Sequence, residues 1–210
     1  MSFTITFGRR KIMDMLHMAD VLNVFQPHRG DAIVVPGRAG RHWIKISTKT
    51  SRDIPLGDPA MGGHASFAFG LALAQPDERV VLFDSEGDIL MNLGALPTIA
   101  ELAPANFYHF LLDNEVYGTT GGQPVPNAKV NEYDVIAKGS GYPHTFRFDD
   151  LEEFSSRLGE VLNTPGPVFV WIKVHPEVEN LPINQRTRWQ TRSRDQVLKD
   201  VQKELGVAAS

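Results

Sequence analysis

The chain has 210 residues, 42% of them hydrophobic and 22% charged, with 21 Lys plus Arg against 25 Asp plus Glu and a formal net charge of −4. A chain of that length buries a full core without staples, and the composition excludes a wholly disordered protein and a dedicated binder of nucleic-acid backbones. Cysteine is absent, which excludes disulfides, thiolate metal centres and cysteine nucleophiles. At the start, Arg9, Arg10 and Lys11 are followed by no apolar stretch of the kind a secretory signal needs. No apolar run reaches membrane-spanning length, so a cytoplasmic chain without membrane association is expected.

Ile12, Met15, Leu16, Ala19, Leu22 and Phe25 recur at helical spacing and predict an amphipathic helix over 11–25. Pro27 and Gly30 break it, and the β-rich run 31–35 is the first predicted strand. Residues 62–74 are small and apolar, suited to a helix packed closely on a sheet. The run 79–84 is continuously apolar with a polar exit, the pattern of a strand buried on both faces. A helix is predicted over 90–102, a second buried strand over 107–112, a short helix over 131–139 and a strand over 144–148. Asp149 is expected to cap a helix over 150–162, and 167–174 is the last strand. Residues 177–194 read as a polar connector, and Val197, Val201 and Leu205 mark a closing helix. Strands alternating with helices predict a three-layer α/β/α fold with a mostly parallel sheet. The expected division is a binding domain over 1–180 and a C-terminal extension with a terminal helix over 181–210.

Ligands of such sheets bind beyond the carboxyl ends of the strands. Asp84-Ser85-Glu86-Gly87-Asp88 comes after one strand, and three acids in five residues repel one another unless a cation neutralises them. Asp113-Asn114-Glu115 comes after another strand and leads into a glycine-rich stretch, 117–123. Oxygen ligands from two strand ends suit a Mg²⁺–diphosphate group. The plainer alternative is that these Asp and Asn residues are helix caps and the glycines are turn residues.

The blocks MGGHASFAFGLALAQPDERVV (61–81), LMNLGALPTIAE (90–101) and LLDNEVYGTTGGQ (111–123) resemble the diphosphate-binding part of thiamine diphosphate enzymes, the sulfopyruvate and phosphonopyruvate decarboxylases above all. Weaker resemblance covers most of the chain. In that family a strand ends in Gly-Asp-Gly, and an Asn-Asn or Asp-Asn pair comes a little under thirty residues later. Anchored on Leu90-Met91, the resemblance places the metal-binding carboxylate on Glu86, the second metal ligand on the Asn114 side chain and the third on the Val116 carbonyl. It places the apolar wedge under the cofactor on Met61 and an aminopyrimidine-binding carbonyl on Pro59. Gly62, Gly87, Asp88 and Gly118 are the remaining cofactor-contacting positions. His64, near the cofactor at a helix start, is the candidate catalytic side chain, with capping or packing as its plainer role.

Two departures from the family stand in that stretch. Glu86 replaces Asp, and Asp88 replaces a small hydroxyl residue, setting a carboxylate against a diphosphate. Three alternatives stay open: Glu86 is the metal ligand, Asp88 is the ligand in a slipped register, or the site has decayed. The resemblance implies thiamine diphosphate and Mg²⁺ as cofactors. It implies a separate pyrimidine-binding subunit that supplies the activating glutamate, a hetero-oligomer, and decarboxylation of a small 2-oxo acid. A carboligase subunit and a cofactor-poor structural or regulatory subunit are the alternatives. The basic stretch Arg186, Arg188, Trp189, Arg192 and Arg194 reads as a solvated connector, and neither a histidine metal pair nor a dinucleotide motif is present.

Overall fold

The computed structural model describes residues 15–56, 61–178, 181–185 and 190–207. Pro59, Arg186, Arg188 and Trp189 lie outside the described residues, as do residues 11–14 of the helix predicted over 11–25. That helix begins only at Met18, because Leu16 instead pairs with Val174 alongside the sheet. The helices are α1 Met18–Phe25, α2 Gly40–Ile46, α3 His64–Ala74, α4 Glu86–Met91, α5 Ala95–Leu102, α6 Tyr133–Gly139, α7 Leu151–Asn163 and α8 Arg194–Glu204. The strands are β1 Ile33–Val35, β2 Val80–Ser85, β3 Phe107–Asp113, β4 Val116–Tyr117, β5 Gln123–Pro124, β6 His144–Phe148 and β7 Val168–Lys173.

Five strands make one parallel sheet in the order β1–β2–β3–β7–β6, and β4–β5 form a small antiparallel hairpin beyond the end of β3. Successive strand residues point to opposite faces, so a strand covered on both sides is apolar at nearly every position. Val81 and Phe83 of β2 join Tyr108, Phe110 and Leu112 of β3 in a core roofed by α1, α2 and α7. Val80, Leu82, Phe107 and Leu111 face the other core, under α3, α5, α6 and α8. Small residues Ala65, Ala68 and Ala72 let α3 lie close on that second face, as residues 62–74 predict. The architecture is the three-layer α/β/α fold that the pattern implies.

Two further local expectations are corrected, and one helix is added. The helix predicted over 90–102 is two helices, because Asn92 ends α4 and its side-chain amide donates to the Gly62 carbonyl at 3.1 Å and to Ser66 Oγ at 3.3 Å. Helix α7 is capped by Asp150, whose carboxylate accepts from Glu153 N–H at 2.8 Å, and not by Asp149. Helix α2 carries no pattern to foretell it: only Gly40 and Trp43 of its seven residues are buried. Trp43 Nε1 donates to Asp53 at 2.9 Å, beside the buried Arg29–Asp53 ion pair at 2.7 Å.

A single glycine shapes the corner beyond β1 and β2. Gly37 has φ +48°, and a Cβ there would lie 2.2 Å from the Phe83 carbonyl oxygen. Only glycine permits that approach, which brings Arg38 beside the end of β2.

Candidate functional site

Strand β2 leaves the core at Ser85, which caps α4: its Oγ accepts from Asp88 N–H at 3.3 Å. Glu86 is the first residue of α4 and is fully buried, at 0% exposure. Its Oε2 accepts from Asn114 N–H at 3.3 Å, while Oε1 is buried without a hydrogen-bond partner. Burial first, and the nearby Asp113 charge second, push the Glu86 carboxyl up to about 8. A buried carboxylate with an orphaned oxygen calls for either a proton or a cation.

The facing loop is held by its own side chains. Asn114 Oδ1 accepts from Val116 N–H at 3.1 Å, and the Val116 carbonyl accepts from Gly118 N–H at 3.0 Å. Each of those oxygens keeps a second lone pair. Glu115 between them has φ +64°, a left-handed conformation costly for a side-chain-bearing residue. Asp113 Oδ1 fixes it by accepting from Glu115 N–H at 3.1 Å, and Lys173 Nζ donates to Glu115 at 2.8 Å. The residues singled out as metal ligands therefore lie on adjoining strand ends, with Glu86 turned toward the Asn114 loop. They fit a divalent cation through the unpartnered Glu86 oxygen.

Asp88 faces elsewhere. Its Oδ1 accepts from Gly62 N–H at 2.9 Å, and its Oδ2 accepts from Ser85 Oγ–H at 2.9 Å and from Arg38 Nε at 3.3 Å. His64 Nδ1 lies 3.4 Å from the same oxygen, within ion-pair range but misaligned for a hydrogen bond. Burial alone would raise the Asp88 carboxyl; His64, the Gly62 N–H and Arg38 outweigh it and hold the group down at about 2. Gly62 has φ +74°, which turns its N–H toward Asp88, and a Cβ there would press on Met91 at 3.1 Å. The anion-holding donors of this corner are thus spent on the chain's own carboxylate.

Behind Asp88 runs a buried polar line. Asp84 Oδ2 lies 3.1 Å from His109 Nε2, whose Nδ1 lies 3.1 Å from the Tyr142 hydroxyl. Among the described residues, His64, Asp84 and Asp88 form one group whose ligand atoms fall within 4.8 Å of one another. Arg38 beside that group opposes a cation there, and Asp84 is already engaged by His109.

The other singled-out positions surround this corner. Met61 is 52% exposed at the approach to α3. At Gly87 an added Cβ would lie 3.0 Å from the Tyr117 ring, and at Gly118 2.8 Å from the Glu177 carbonyl oxygen, so both glycines serve close packing of neighbouring chain. Arg38 belongs to the corner without any motif to mark it. Its signal in the sequence is position alone: it comes just after β1, at the strand end where such folds bind ligands. Arg192, expected in a solvated connector, instead clamps the C-terminal segment, donating to the Thr50 carbonyl at 2.6 Å and to Asp200 at 2.8 Å.

Fold and strand-end polar loops together define a three-layer α/β/α domain with polar groups gathered beyond the carboxyl ends of its parallel strands, and similarity to known proteins makes the class specific. Residues 38–172 match the family described as thiamine pyrophosphate enzyme, C-terminal TPP binding domain, and the chain belongs to that family. The "Sulfopyruvate decarboxylase subunit beta" of Methanothermobacter thermautotrophicus is 40% identical over 124 residues, 59% of this chain and 63% of that protein. The "Phosphonopyruvate decarboxylase" of Streptomyces viridochromogenes is 34% identical over 148 residues, 70% of this chain and 36% of that protein. The solved thiamine diphosphate-dependent 4-hydroxybenzoylformate decarboxylase of Rhodococcus jostii superposes with a TM-score of 0.61 at 17% identity, over 84% of this chain and 36% of that one. The chain thus spans about a third of the Streptomyces relative and under two thirds of the Methanothermobacter one. Among the described residues no helix is long and apolar enough to cross a membrane.

Proposed function

We propose that this chain is the diphosphate- and metal-binding subunit of a thiamine diphosphate-dependent 2-oxo acid decarboxylase, with a partner chain supplying the pyrimidine-binding part and the activating glutamate. The observation that carries the reading is Glu86: fully buried, with one oxygen on Asn114 N–H and the other without a partner. The name "subunit beta" borne by the Methanothermobacter relative supports a second chain.

In this reading Glu86, Asn114 and the Val116 carbonyl hold Mg²⁺. The strained Glu115 turn and the Lys173 contact keep the Asn114 loop in place without reorganisation. Met61 presents an exposed apolar side chain to the cofactor. His64 stands at the start of α3, buried at 2% exposure with Nδ1 beside Asp88, as the candidate catalytic group of this corner. Thiamine diphosphate, when bound, supplies the electron sink for loss of CO₂ from a 2-oxo acid; the protein supplies grip, orientation and shelter from water.

The test is co-expression with a candidate pyrimidine-binding chain, then titration of thiamine diphosphate with Mg²⁺ and analysis of the products. Metal-dependent cofactor retention by the parent is expected, with retention lost in Asn114→Ala and Glu86→Gln although both keep the parent's circular dichroism. Equal retention by those variants would refute the metal assignment. Release of CO₂ with a free aldehyde marks decarboxylation, whereas a coupled hydroxyketone marks the carboligase alternative.

A further inference from the structure

The cradle around Asp88 has the make-up of a phosphate site. It offers a backbone N–H from Gly62, a hydroxyl from Ser85 and a guanidinium N–H from Arg38, with His64 Nδ1 alongside. These groups come from three separate stretches: the turn after β1, the start of α3 and the end of β2. They converge on one point beyond the carboxyl ends of parallel strands, where anionic ligands of this architecture bind. What they hold is a carboxylate of the chain itself, 4% exposed, with hydrogen bonds on both oxygens.

We infer that Asp88 is a resident anion that occupies a phosphate-binding cradle, so that a diphosphate group binds here only in competition with it. The inference rests on the proposed diphosphate-binding reading of these strand ends. Its physical basis is charge and donor count. A phosphate brought to the cradle with Asp88 in place meets a like charge inside a water-poor corner, and the best donors are already committed. Removing the carboxylate reverses both effects: the repulsion goes, and Gly62 N–H, Ser85 Oγ and Arg38 Nε become available to an outside anion. A serine at 88 restores the small hydroxyl residue that the resembling family carries there. An asparagine keeps the size of Asp88 and can still accept from Gly62 N–H, so it removes charge while leaving the packing nearly unchanged.

Inorganic pyrophosphate is the probe, titrated calorimetrically into the purified chain with and without Mg²⁺, for the parent, Asp88→Ser, Asp88→Asn and the double variant Arg38→Ala with Asp88→Ser. Asp88→Ser should tighten pyrophosphate binding by about tenfold or more, the worth of one or two charge-assisted hydrogen bonds, and Asp88→Asn by less. The double variant should lose most of the gain, because Arg38 is the charged donor. Thermal melts and circular dichroism establish that each variant is folded, and Asp88→Asn carries the test if Asp88→Ser does not fold. Equal affinity in parent and Asp88 variants, whether measurable or absent in all, would overturn the inference, as would a gain that survives loss of Arg38. The probe carries no thiamine moiety, so the two readings fail separately. A pyrophosphate gain without cofactor retention keeps the resident anion and sinks the proposed function; the opposite pattern does the reverse.

Discussion

Glu86 shows how a single side chain links burial to chemistry. Unfolded, it titrates near 4.5; folded and metal-free, near 8, because burial and then the Asp113 charge disfavour its ionised form. Between those values the folded chain holds a proton that the unfolded chain has released. The contribution is therefore fully present below about pH 4.5 and is lost as pH rises toward 8. Urea unfolding in metal-free buffer should show stability falling across that window by up to about 1.4 kcal/mol per pH unit from this group. Glu86→Gln should flatten the slope; parallel profiles for parent and variant would show that Glu86 is not the group responsible. The pairing of Glu86 with Asn114 was legible from ordered blocks at family spacing. Its orphaned oxygen was not, since no sequence pattern reports which lone pair lacks a donor. The partnership of Arg38 with Asp88 was equally hidden, because fifty residues separate them and only the Gly37 approach to Phe83 brings them together.

Among the elements, β2, β3 and β7 were readable for one reason: a strand covered on both faces is apolar at nearly every position, with paired exceptions such as Asp84 and His109, and PVFVWIKV or RVVLFD admits little else. The division of 90–102 was unreadable, because the break at Asn92 is imposed by Gly62, thirty residues earlier. Helix α2 escaped for a similar reason. Its one large buried side chain, Trp43, is placed by Asp53 and ringed by Phe25 and Phe83. The same corner contains Arg29, 2% exposed, whose guanidinium also donates to the Ala32 carbonyl at 3.3 Å. Arg29→Met strands the Asp53 charge in the interior and should cost about 3–5 kcal/mol in chemical denaturation. Adding Asp53→Leu should recover much of that loss, since the uncompensated charge is then gone. A double variant as unstable as the sum of the two single ones would show that packing, not charge pairing, ties β1 to α2.

At the scale of the whole chain, the family match ends at residue 172, yet the second core does not. Val197 and Val201 of α8 are 2% and 5% exposed and pack into the cluster that contains Ile54, Leu82 and Trp171. Ser193 caps that helix by accepting from Gln196 N–H, and Arg192 fastens it to the carbonyls of Thr50 and Asp53. The C-terminal segment therefore completes a face of the sheet, on the side opposite α1 and α7. Burying two valine side chains is worth about 1.5–3 kcal/mol each against leaving them exposed. Replacing Val197 and Val201 together by Asp should release α8, lower the melting temperature by several degrees or more, and raise binding of a hydrophobic dye. Hydrogen exchange should rise around 50–56 and in α8 first, while the amides of β3 stay protected until global unfolding. Unchanged melting and dye binding would show that α8 rests on the sheet without contributing to it. Exchange rising equally in β3 would show that the second core cannot stand without its last helix, and that the segment beyond residue 172 is part of the folding unit.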